Sequence, residues 1–94
     1  MPNTRRYEEA IRYHRFETTG TGIQRANAAK LIRVVVNNPT AASTLTLWES
    51  PTTAGEVIAN IDCSIAGTYE YGLTLSGLTG AMGGANADVT VVYQ

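Results

Sequence analysis

From Leu31 to the C-terminus the apolar positions recur at intervals of two, the period of a strand whose alternate side chains face opposite ways. Leu31-Ile32-Arg33-Val34-Val35-Val36 is β-branched and nearly continuous, as expected of a strand covered on both faces, and Asn37-Asn38-Pro39 ends it by turn chemistry and a missing amide proton. In Ser43–Glu49, Leu45 and Leu47 share one face while Thr44, Thr46 and Trp48 share the other. Val57, Ala59, Ile61 and Cys63 form a third alternating face, Tyr69, Tyr71, Leu73 and Leu75 a fourth, and Val89, Val91 and Tyr93 a fifth. Turn signals at roughly ten-residue spacing between them predict an all-β chain, an antiparallel β-sandwich or jelly roll, rather than alternating strands and helices.

Two further stretches belong to this body. Phe16-Glu17-Thr18-Thr19 and Ile23-Gln24-Arg25-Ala26 predict a hairpin across Gly20-Thr21-Gly22, bringing the total to seven or eight strands. The segment from Gly77 to Asp88 contains Gly77, Gly80, Gly83 and Gly84, and reads as a flexible loop with at most a short strand that returns Leu78 and Met82 to the core. Cys63, the only cysteine, falls on an apolar face as a small core residue and excludes an internal disulfide.

Residues 1–15 look different from the body at 16–94 and form a basic N-terminal arm. Over Arg5–Phe16 a helix would align Tyr7, Ala10, Ile11 and His14, whereas an extended chain would set Tyr7, Ile11 and Tyr13 to one side. A helix this short is marginal alone, so the arm is extended or short-helical according to the surface it meets. The charge supports that division. All seven basic residues lie within the first 33 positions beside three acids, a net of +4, while the remaining 61 carry five acids and no Lys or Arg, a net of −5. Halves of opposite sign invite contact between copies or with a larger assembly.

Candidate chemistry is sparse. His14 is the only histidine and has no partner imidazole or cysteine cluster with which to hold a metal. Ser64, Ser76, Asp62 and Asp88 sit in no nucleophile-turn motif, and the glycine-rich stretch lacks the Lys of a phosphate loop. The five acids of the body lack the spacing of a calcium loop. No enzyme activity, cofactor or metal is therefore expected. No apolar run approaches the roughly 20 residues needed to cross a bilayer, and charges stand where a signal peptide needs an apolar stretch.

The arm joins Arg5, Arg6, Arg12 and Arg15 with Tyr7, Ile11, Tyr13 and Phe16, and Tyr and Arg are the residue types that dominate interface hot spots. The same mixture could grip single-stranded nucleic acid, yet Glu8, Glu9 and Glu17 interrupt the charge and the acidic body repels a polyanion. These eight residues are read as a protein interface. An alternative recognition surface would use Trp48, Tyr69 and Tyr71 as an aromatic platform for a host glycan.

The succession Phe16-Glu-Thr-Thr, Leu31-Ile-Arg-Val-Val-Val-Asn37, Leu45-Thr-Leu-Trp-Glu-Ser50, Val57-Ile-Ala-Asn-Ile61, Gly72-Leu73 and Ala87-Asp-Val-Thr-Val-Val-Tyr93 resembles small β-sandwich structural proteins of tailed phages, above all capsid decoration, or cement, proteins. The resemblance spans about residues 16 to 94 and is carried by strand and turn patterns. It implies a protein made in the host cytoplasm and placed on the capsid surface, a homotrimer bound to the major capsid protein or other virion proteins, with a neck or tail position as the alternative. It implies no catalytic residues.

Overall fold

The computed structural model describes residues 11–26 and 29–94. Eight strands run through them: β1 (Arg12–Phe16), β2 (Gly20–Arg25), β3 (Ala29–Asn38), β4 (Thr44–Glu49), β5 (Glu56–Asp62), β6 (Gly67–Leu75), β7 (Leu78–Gly83) and β8 (Asp88–Tyr93). They form two packed antiparallel sheets, ordered β1-β8-β3-β6 and β2-β7-β4-β5. The pairs nest as β1 with β8, β2 with β7, β3 with β6 and β4 with β5. A long hairpin folded about the β4–β5 turn and rolled over on itself gives this order.

Alternation fills the space between the sheets. Phe16, Leu31, Val34, Val36, Val89 and Val91 of the first sheet face Ile23, Leu45, Leu47, Ile61, Leu78 and Met82 of the second, all buried. Full burial of such side chains is worth roughly 1.5–3 kcal/mol each before chain entropy is charged against it. Cys63 closes the core beyond β5. Its amide donates to the Ser43 carbonyl at 2.9 Å, and its own carbonyl accepts from the Thr40 amide at 3.0 Å.

Three departures from the sequence reading have local causes. Residues 78–83 are a complete strand and the most buried one, not a loop with a fragment of strand. Glycine there answers a packing demand: a Cβ on Gly80 would stand 3.1 Å from Leu47 Cδ2 and 3.4 Å from both Ile23 Cδ1 and Phe16 Cζ. The expected hairpin between Phe16–Thr19 and Ile23–Ala26 does not form, because β1 pairs with β8 while β2 crosses to the other sheet and pairs with β7. The expected boundary at residue 15 falls inside β1, whose ladder against β8 begins at Arg12. Over Arg12–Phe16 the chain is extended; the helical alternative for Arg5–Ala10 lies outside the described residues.

Candidate protein interface

Beyond its buried positions, β1 sends Tyr13 and Arg15 to the outer surface of the first sheet. Registers carry this surface across four strands, with Tyr13, Val92, Arg33 and Glu70 in one row and Arg15, Thr90, Val35 and Thr68 in the next. Tyr13 is 71% exposed, and Ile11, which precedes the strand, is 65% exposed. Val35, Ile32 and Val92 are half-buried beside them. A shallow concavity of about 550 Å³ crosses this surface between Ile11 on one side and Tyr71 and Gly72 on the other, floored by Lys30, Ile32 and Gln94. Gly72 adopts a φ of 69°, the left-handed region that glycine enters without a Cβ penalty, where β6 takes an extra residue against β3.

Ion pairs stand on the same surface. Arg15 Nε donates to Asp88 Oδ1 at 2.9 Å and its Nη2 to Oδ2 at 2.5 Å, with Glu17 Oε2 3.5 Å from Nη2. Asn37 Nδ2 donates to Asp88 Oδ1 at 3.2 Å and to Thr90 Oγ1 at 2.9 Å. The bonds from Arg15 hold the Asp88 carboxyl below its ordinary value, and the carboxylates hold the guanidinium proton more tightly in return. Arg33 Nε donates to Glu70 Oε2 at 3.0 Å.

The eight residues read as an interface therefore separate. Arg5, Arg6 and Tyr7 lie outside the described residues. Ile11 and Tyr13 are brought together on the outer surface. Arg12 is exposed at the start of β1 on the alternate phase of the strand. Arg15 shares the surface with Tyr13, but its charge is committed to Asp88. Phe16 is 2% exposed and sits in the core, where the His14 ring meets it edge-on at a centroid distance of 4.5 Å. Five of the seven basic residues, Arg12, Arg15, Arg25, Lys30 and Arg33, stand in strands, so most of the N-terminal charge belongs to the body.

Val35, Val92, Ile32, Arg33 and Glu70 join the candidate surface although the sequence reading singles out none of them for it. The signal for the two from β3's apolar run, Ile32 and Val35, is that the run is nearly continuous, broken only by Arg33, which announces a second covered face. The proposed glycan platform is divided, with Trp48 in β4 of one sheet and Tyr69 and Tyr71 in β6 of the other. Among the described residues no group of His, Cys, Asp and Glu is placed to hold a metal ion. No family model and no curated protein matches the chain.

Proposed function

We propose that this chain is a structural protein of a tailed-phage virion, of the capsid decoration or cement type. Its two-sheet body sits on the capsid surface, and its N-terminal segment engages neighbouring copies and the major capsid protein. The resemblance in strand and turn motifs supports the phage assignment. The observation that carries an assembly role is the outer surface of the first sheet, where Ile11 and Tyr13 project beside half-buried Val35, Val92 and Ile32 among charges of both signs. Isolated exposed apolar residues are ordinary, whereas a continuous patch with an aromatic and an ion-paired border is the composition of a contact surface.

The nested strand order supports the same reading. It is the winding of a jelly roll, an architecture that recurs in viral capsid domains, although fold likeness by itself assigns no site. The same winding occurs in lectins, yet here Trp48 and the two tyrosines occupy opposite sheets. A neck or tail position would use the same surface against a different neighbour, and three copies about a threefold axis remain the arrangement that the resemblance implies.

Cosedimentation with purified phage shells that lack decoration tests the function. The full-length chain is expected to pellet with the shells, and Ile11→Ala with Tyr13→Ala to remain in the supernatant while melting as the parent does. A parent chain that stays in the supernatant at every salt concentration would overturn the reading.

A further inference from the structure

We propose that two copies of this chain pair edge to edge through β1, joining their four-stranded sheets into one eight-stranded sheet across a twofold axis. Among the described residues four strands border the sandwich: β1 and β6 in one sheet, β2 and β5 in the other. A border strand accepts another when its free N–H and C=O groups form a regular row, and a bulge breaks that row and twists it away. β2, β5 and β6 each take an extra residue against their neighbour, at Gly22, at Ile58 and at Tyr71–Gly72. Only β1, among the border strands described, keeps unbroken register, from Arg12 opposite Tyr93 to Phe16 opposite Val89. It contains no Pro, and its charged side chains are Arg12 and Arg15, the latter held by Asp88.

The ladder identifies the groups left without a partner among the described strands. Lys30 and Gln94 exchange both backbone bonds, at 3.1 and 2.8 Å, so Gln94 turns its amide and carbonyl toward β3. By antiparallel alternation Tyr93, Val91 and Val89 turn theirs toward β1, where Arg12, His14 and Phe16 receive them. Tyr13 and Arg15 therefore direct their N–H and C=O groups away from β8, to the side that no other described strand occupies.

A second antiparallel copy of β1 meets those groups best with His14 opposite His14. Tyr13 of each chain then exchanges bonds with Arg15 of the other, and all five residues overlap. This register places each guanidinium beside a phenol ring on the outer surface. A slip that sets Arg15 opposite Arg15 would oppose like charges directly. Ile11 and Tyr13, so exposed in the single chain, lie beside the edge that the second sheet would flank. The contact makes pairs where the resemblance implies threes, and the two differ in mass.

Light scattering of the purified full-length chain is expected to read twice the chain mass of 10.1 kDa. Opposed residues of a non-hydrogen-bonded pair lie about 4.5 Å apart at Cα, within reach of a disulfide. A His14→Cys chain under mild oxidation should therefore run mostly as a linked dimer on a non-reducing gel. Arg12→Cys should not, and the parent, whose Cys63 is buried, serves as the blank. Tyr13→Pro removes a free amide from each chain and should weaken pairing by about tenfold or more through two lost backbone bonds. Should that variant fail to fold, the cysteine pair still decides. A monomer at all concentrations, a trimer, or a dimer in which the His14→Cys chains stay unlinked would each overturn the proposal. The virion reading stands or falls separately: a monomer that decorates shells overturns only this contact, and a dimer that ignores shells overturns only that reading.

Discussion

Asp88 accepts two bonds from Arg15 and one from Asn37, and Asp62 accepts from both the hydroxyl and the amide of Ser64. Both carboxyls are consequently held below their ordinary values, chiefly by those bonds. A lowered folded value means that the stabilisation is fully present above the ordinary carboxylate range near pH 4 and is lost as pH falls through the lowered values. Thermal melts should accordingly hold steady from neutral pH down to about 5 and decline below about 4. Asp88→Asn should show a lower plateau and a shallower decline; an identical decline would remove the Arg15–Asp88 pair as its source. Cys63 behaves oppositely, since burial pushes its thiol up and encloses it. Its reaction with an aromatic disulfide reagent should be slow in native buffer and rise in step with unfolding in urea. Rapid native labelling would mean that the β5–β6 turn opens without global unfolding. The core role of Cys63 is legible from its place in an alternating run, whereas the partner of Asp88 is not, because 73 residues separate it from Arg15.

At the scale of elements, alternation identifies the strands that carry side chains to bury. β4 and β8 follow the expected phase along their lengths. β6 keeps it too, with Tyr69 and Tyr71 packed against the core, Leu75 inside it and Leu73 opposite buried Leu31 though 41% exposed. β5 does not, because the extra residue at Ile58 resets the phase and leaves Val57 47% exposed. A bulge costs one unpaired residue and leaves little mark in composition, so period-two reasoning passes over it. β7 escapes that reasoning for a different cause. Its glycines suit a loop by propensity, but a Cβ on Gly80 would crowd Leu47 Cδ2 at 3.1 Å and press on Ile23 and Phe16 at 3.4 Å, and tertiary packing overrides propensity. Gly80→Ala should therefore destabilise the protein by about 1–3 kcal/mol despite the better intrinsic strand preference of alanine. Urea unfolding measures it. An unchanged midpoint would mean that Leu47 and Phe16 move aside without penalty, and the strand would then owe its glycine to something other than packing.

For the whole molecule, the consequential difference is where the body begins. The contrast between a basic first third and an acidic remainder suggests an arm ending at residue 15, but charge follows sequence position while sheet pairing follows the chain's closure on its own C-terminus. β1 and β8 are neighbours in space although they bracket the chain, and no short-range pattern announces a contact between its two ends. Two truncations separate these accounts. Removing residues 1–10 leaves every pair of the β1–β8 ladder intact, and the product should melt with the parent. Removing residues 1–15 strips four of the five residues of β1, unpairs the backbone of Val91 and Tyr93 from that side, and leaves Phe16 as a chain end with nothing to hold it in the core. Loss of a buried Phe alone costs about 3–5 kcal/mol, which in a domain of this size lowers the melting temperature by about 10 °C or more. The longer truncation should thus melt far lower or lose its cooperative transition, and any association it loses would report damage to the sheet. If it melts with the parent, β1 contributes nothing to the body, and Arg12–Arg15 belong with the arm after all.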